Sequence, residues 1–278
     1  MKRFLPGVLL SALIATVACG GGSSKASNTG PLSGNWQIAL IRHAVPTQPL
    51  TYTGFLNQSG DSVAGNFILG ASFLNPGCSG VGPVTGNVSG QNVSLTINQF
   101  GDEVDLTGAA PSGSNPMNGQ FSLLAGGCNN FPASGTWSAI QVMPISGNFH
   151  GTFVSTVPAP NNGTVNVTGS LNQGPNMGAS TATLTGSIAV QGTPHFCNYL
   201  STATISGLIS GTSVSLSLYG PDGSLITQIG QIGQIGNPQV TSQATVTADA
   251  TSLSAPYTFP AISAGCAEDQ GTFQITFP

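Results

Sequence analysis

Val84, Gly86 and Val88 share one side of an alternating run, and Val93, Leu95 and Ile97 repeat the pattern after Ser89-Gly90-Gln91-Asn92. Successive side chains of a strand point to opposite faces, so alternation of apolar with small polar residues marks a half-buried strand. A Ser/Gly/Gln/Asn cluster between two such runs is turn chemistry. The same reading over residues 32–143 gives about eight strands, near 34–42, 50–57, 61–70, 81–88, 91–99, 101–108, 116–124 and 133–142. Beyond the N-terminal run, no stretch sustains a helical period with caps. Short strands with turn signals every 8–12 residues or so predict an all-β chain, either a sandwich or a barrel.

The pattern occurs twice. Ser33-Gly34-Asn35-Trp36 returns as Ser146-Gly147-Asn148-Phe149, and Leu56-Asn57-Gln58 as Leu171-Asn172-Gln173. The run from Gly86 to Leu95 returns from Gly207 to Leu216, with Ser210-Gly211-Thr212-Ser213 as its turn. Gly127-Cys128 matches Gly265-Cys266, and Gly135-Thr136-Trp137 matches Gly271-Thr272-Phe273. Markers in the same order in both halves mean a duplicated module, residues 32–143 and 144–278. The second copy is longer, partly through the triplet run from Gln228 to Gly236, which reads as an expanded loop or hairpin tip, or as an extended hairpin.

Residues 1–18 have the form of an export signal. Lys2-Arg3 precede an apolar run that is too short to span a bilayer and ends in small residues. Its ending, Thr16-Val17-Ala18-Cys19, resembles the lipobox of bacterial lipoproteins, with Thr16 where Leu is commonest. The resemblance implies that Cys19 is diacylated and becomes the new N-terminus, so that the lipid holds the protein to a membrane. The competing reading is an ordinary signal cut near Ala18 with Cys19 unmodified. Gly20 follows the cysteine, and the absence of Asp there resembles outer-membrane sorting. The Gly/Ser-rich stretch 19–31 is a flexible tether. The join near Met143-Pro144 is much shorter, so the two modules are expected to touch.

With Cys19 lipidated, Cys78, Cys128, Cys197 and Cys266 remain, an even number in an exported chain. Their equivalent places in the two copies predict disulfides Cys78–Cys128 and Cys197–Cys266. In an up-and-down barrel, Cys78 falls in the third connection and Cys128 in the seventh, which puts both at one end. Gly-x-Trp in the first strand and Gly-Thr-Trp in the last suit closure of the first strand onto the last. This architecture resembles lipocalin and avidin barrels, a likeness of fold that carries no ligand residues. Two tandem eight-stranded barrels are therefore expected, with a β-sandwich as the alternative. Trp36 and Trp137, matched by Phe149 and Phe273, are expected in cores that side chains fill.

Charge narrows the chemistry. Charged residues are 4% of the chain, against roughly a quarter in typical globular proteins. After the signal, Lys25 and Arg42 are the only fixed cations, facing eight carboxylates. Such a chain cannot neutralise phosphates, which argues against nucleic acid as a partner. With Lys25 in the tether, phosphate-loop and Schiff-base chemistry are also excluded. His43, His150 and His195 stand apart without metal-ligand spacing. The acidic stretch Gly101-Asp102-Glu103-Val104-Asp105 puts Glu103 and Asp105 on one strand face, the weak calcium candidate, and Glu268-Asp269 reads as a polar loop tip. No cofactor, metal or catalytic residue is expected.

The sequence thus points to a lipid-anchored envelope protein with a non-enzymatic structural or binding role. The alternatives are a barrel carrying a small apolar ligand and a hydrolase built from scattered carboxylates. Non-reducing peptide mapping checks the disulfides. Linked peptides Cys78–Cys128 and Cys197–Cys266 are expected, each worth about 4 kcal/mol in the chain-entropy account. A Cys78–Cys197 or Cys128–Cys266 peptide would overturn the pairing.

Overall fold

A computed structural model describes residues 30–69, 80–99, 101–112, 116–124, 132–157, 163–176, 178–192, 201–230, 244–259 and 268–278. The first module is a closed barrel of eight antiparallel strands in chain order. They are β1 (Gly34–Arg42), β2 (Val45–Ser59), β3 (Ser62–Leu69), β4 (Gly80–Ser89), β5 (Asn92–Gln99), β6 (Asp102–Ala109), β7 (Met117–Leu124) and β8 (Ala133–Val142). Closure comes from β1 against β8, with Leu40 opposite Trp137 and Trp36 opposite Gln141.

The second module repeats the plan with β9 (Ser146–Ser155), β10 (Thr164–Gln173), β11 (Ala182–Gln191), β12 (Thr202–Ser210) and β13 (Ser213–Tyr219). Then follow β14 (Leu225–Ile229), β15 (Ala244–Val246), β16 (Ser252–Phe259) and β17 (Asp269–Thr276). β9 pairs with β17, and β12 with β13, so this sheet also closes on itself. Its sixth position is divided. β14 pairs with β13 near Leu216–Tyr219, whereas β15 pairs with the same strand at Ser213 and Val214. Of the triplet run, Gln228 and Ile229 belong to β14 and Gly230 follows it, while 231–236 lie outside the described residues.

Inward positions carry the core. Trp36, Ile38 and Leu40 on β1, Phe67 on β3, Leu95 and Ile97 on β5 and Trp137 on β8 belong to one buried cluster. Phe149, Phe153, Leu216, Leu218, Tyr257, Phe259 and Phe273 belong to the cluster of the second barrel. An eight-stranded barrel is just wide enough for side chains to fill. Glycine makes room for the largest of them. A Cβ at Gly54, opposite Trp36, would lie 2.2 Å from the Phe67 ring and 2.1 Å from the Asn66 carbonyl. Gly169, opposite Phe149, is in the same position, 2.5 Å from the Phe149 ring.

We call the end of each barrel that holds the β1–β2, β3–β4, β5–β6 and β7–β8 connections the upper end. In sequence, Cys78 falls between β3 and β4, Cys128 between β7 and β8, Cys197 between β11 and β12, and Cys266 between β16 and β17. The strands flanking each expected pair thus end together at the upper end. The cysteines themselves lie outside the described residues, as do Cys19, the tether up to residue 29, and His195.

The lower end of the second barrel rests on the outer wall of the first. Asn35 donates from Nδ2 to the Gly211 carbonyl (2.9 Å), and the Gly211 N–H donates to Asn35 Oδ1 (2.6 Å). Ser210 Oγ lies 2.9 Å from Thr53 Oγ1 and 2.8 Å from the Ser180 carbonyl. A hydroxyl has one proton and a carbonyl only accepts, so Ser210 donates to Ser180 and accepts from Thr53. Thr212 Oγ1 donates to Gln37 Oε1 (2.6 Å), and Asn66 Nδ2 to the Gly178 carbonyl (2.6 Å). Phe55, on the outside of the first barrel, joins the core cluster of the second. Gly211 has φ +56°, and a Cβ there would lie 2.5 Å from Thr53 Cγ2, so the turn can seat only as glycine.

Asn35 is 2% exposed, whereas its repeat equivalent Asn148 is exposed. Asn35→Ala strips both bonds from the buried Gly211 peptide and should cost about 1–3 kcal/mol. Asn148→Ala should stay within about 0.5 kcal/mol. Thermal denaturation measures both, and proteolysis near 143–145 should accelerate for the first substitution alone.

Candidate functional site

Polar chemistry inside an apolar barrel is the feature that composition alone does not explain, and each upper end has it. In the first barrel, β6 begins with Asp102 on the same face as the buried Val104 and Leu106. The residue is 5% exposed. Tyr52 on β2 points inward beside the Ile38 position, 2% exposed. Burial pushes its phenol well above the usual value of 10.0, and the negative charge of Asp102 pushes it further. Arg42 continues the inward stripe of β1, opposite Gly135 on β8. Its Nε is buried with no hydrogen-bond partner among the described residues. The one arginine after the signal and a buried carboxylate thus sit at the same end of one interior.

The second barrel makes a more tightly bonded group. Asp269 opens β17 on the face shared with Phe273 and Ile275 and is 1% exposed. Tyr257 on β16 donates its hydroxyl to Asp269 Oδ2 (2.7 Å), and Ser155 at the end of β9 donates to Asp269 Oδ1. Ser155 Oγ in turn accepts the Val157 N–H (3.3 Å). A buried carboxylate is costly unless hydrogen-bonded, and these two hydroxyls satisfy one oxygen each. Burial raises the Tyr257 pKa first, followed by the bond to Asp269 and that carboxylate's charge. Below them, Phe153 stacks on Phe273 (centroids 4.6 Å apart) and meets Tyr257 and Phe259 edge-on.

The expectation that Glu268-Asp269 is a polar loop tip therefore holds for the exposed Glu268 and is overturned for Asp269. The acidic stretch of β6 is divided by the pleat. Asp102 faces in, while Glu103 is exposed and Asp105 accepts from Thr96 Oγ1 (2.8 Å) on the outer wall. Glu103 and Asp105 therefore share the outer face, as their spacing predicts. Among the described residues, no group of three or more His, Cys, Asp or Glu side chains is placed to hold a metal ion. His43 and His150 are both exposed, the latter on β9. Trp36 and Trp137 are core residues whose indole N–H groups reach the Leu32 and Thr107 carbonyls (2.8 and 3.1 Å).

Tyr52, Tyr257, Ser155 and Arg42 were not legible as a site, although one signal was available. Asp102 shares parity with Val104 and Leu106, and Asp269 with Phe273 and Ile275, so the alternation that defines the strands already turns both carboxylates inward.

A tyrosine whose folded pKa lies above its unfolded value adds stability that is complete below the unfolded value and is lost as pH rises past it. Both tyrosines are shifted upward, so stability should fall above about pH 10. In a titration followed at the tyrosinate absorbance, Tyr52 and Tyr257 should ionise only together with unfolding. The double variant Tyr52→Phe, Tyr257→Phe should lose that steep component. Reversible ionisation of all tyrosines near pH 10 in the folded protein would contradict the buried assignment.

No protein-family model and no curated protein matches the chain. Among solved structures it is similar to kievitone hydratase from Nectria haematococca at 9% identity, covering 91% of this chain and 94% of that one, with a TM-score of 0.22. It is also similar to a porin-like protein from Bacteroides uniformis at 13% identity, covering 90% and 98%, with a TM-score of 0.19. Values that low carry no argument about family or activity.

Proposed function

We propose that this chain is a lipid-anchored protein of the bacterial envelope, acylated at Cys19, with a non-enzymatic structural or binding role. The observation that carries this reading is how the tether joins the body. Leu32, just past the tether, is fully buried at the lower end of the first barrel. Its N–H donates to Gln58 Oε1 (3.0 Å), and its carbonyl accepts from the Trp36 indole (2.8 Å). Ser33 Oγ accepts the Gln58 N–H (2.9 Å), and the Ser33 N–H closes a turn onto the Gly30 carbonyl (2.9 Å). Tension on the lipid would thus be delivered into the core of the barrel and not to a fraying end.

The walls suit this role. Outward positions of β4, β5, β7 and β8 are largely Thr, Asn, Ser and Gln, which stay hydrated without creating a charged field. Inward positions are given over to core packing, which weighs against a capacious ligand carrier. Of the carboxylates a hydrolase would draw on, Asp269 has both oxygens engaged by hydroxyls and Asp105 accepts from Thr96.

Cys19→Ala tests the anchor. Accumulated precursor or released soluble protein is expected, together with loss of the lipid mass from the N-terminal peptide. One acyl chain binds membranes only marginally, so two or more should be found in the native protein. Unchanged membrane association with no lipid mass on Cys19 would overturn the reading.

A further inference from the structure

The wall of the second barrel has a seam. In the first barrel β6 and β7 are joined along a continuous register from Glu103↔Leu124 to Ala109↔Asn118. At the equivalent place, among the described residues, β14 pairs with β13 only and stands last in the sheet order, with no ladder to β16.

Backbone parity supplies the reason. The Ser252 carbonyl accepts from Thr247 on the β15 side, and the Thr251 carbonyl accepts from Phe277 on the β17 side. β16 pairs with β17 without a register shift, so its even-numbered residues all turn their backbone groups toward β15 and β14. Pro256 is one of them, and proline has no N–H to give. Thr258 is the next, and its carbonyl accepts the Thr227 side-chain hydroxyl (2.7 Å) in place of a backbone N–H. The β13–β14 pairing is itself irregular, shifting register between Leu218 and Tyr219. β14 is also short, five residues from Leu225 to Ile229, where β6 has eight.

We propose that β14 is a detachable piece of wall. The second barrel opens locally between β14 and β16, well below the free energy of unfolding the barrel as a whole, and uncovers the aromatic group of Phe153, Tyr257, Phe259 and Phe273. Thr227 is the latch. This inference concerns the folded module and does not depend on the anchor.

Residue-resolved hydrogen exchange on the whole mature chain under native conditions tests it. The slowest backbone amides of the β13–β14 pairing are compared with the slowest of the β9–β10 pairing in the same barrel. The first set should exchange at least about a hundredfold faster, since sub-global openings lie well below the global limit. Thr227→Val should speed β14 exchange by roughly a further fivefold and leave β9–β10 unchanged. Pro256→Ala, which restores an N–H facing β14, should slow it. Equal protection of the two pairings in the unaltered protein would overturn the proposal. So would a Thr227→Val effect spread evenly over both.

Discussion

Closing eight strands into a ring leaves an interior that holds side chains and little else, and the other features of the molecule follow from that volume. Each strand can send only alternate residues inward. The sequence puts Trp, Phe, Leu, Ile and Val there and keeps Thr, Ser, Asn and Gln outside, so the apolar content of a nearly uncharged chain is spent on two cores. The Phe67 and Phe149 rings fit only where the strand beside them gives up a side chain. Gly54 and Gly169 meet that need, and they stand opposite Trp36 and Phe149 at equivalent places in the two copies. The retained pairing of a large ring with a glycine ties the duplication to the geometry of closure.

Where the copies differ, they differ at the joint. Phe55 sits opposite Asn35, and its counterpart Ser170 sits opposite Asn148. Ile68 lies across from Thr53, and Ala189 across from Thr168. The polar framework, Asn and Thr, is present in both walls, but the apolar anchors exist only in the wall that is covered. The docking elements diverge as well. Gly90 repeats the positive φ of Gly211, yet a Cβ on it would meet nothing within 4 Å, because the turn of the first barrel faces solvent. The connection that supplies Gly178 and Ser180 runs from 174 to 181, whereas its counterpart between β2 and β3 is only Gly60 and Asp61. One wall and one end were thus fitted to each other, and the duplicate surfaces were left hydrated. The copies have become a matched pair.

The eight strands of the first module, the closure of the first strand on the last and the duplication were legible in the sequence, because period-two alternation and turn residues act locally and survive repetition. Observed strands such as Met117–Leu124 and Ala133–Val142 fall within a residue of those expected near 116–124 and 133–142. What escaped was information carried between distant residues. Asn35 and Thr53 look like ordinary outward polar residues until Gly211 and Ser210 are brought against them, 176 and 157 positions away. The divided strand escaped because a triplet run reads equally well as a loop or a hairpin. Pro256 was the available sign: a proline inside an alternating run marks a position whose neighbour is not a full ladder partner.

The inward carboxylates show the same rule from the other side. Asp102 and Asp269 occupy non-equivalent strands, one on the sixth and one on the last, so neither descends from a shared ancestral site. Each nevertheless lies at the upper end of its barrel, in the last inward layer, with a buried tyrosine under the influence of its charge. Deeper in either barrel a carboxylate would meet only hydrocarbon and would be driven neutral. At the rim it can be satisfied by hydroxyls such as those of Ser155 and Tyr257. That both modules reached this arrangement by different residues implies a common physical demand at that end, where the connections carrying the cysteines leave the strands. An acceptor in the last layer gives the interior a polar limit, above which the apolar packing stops.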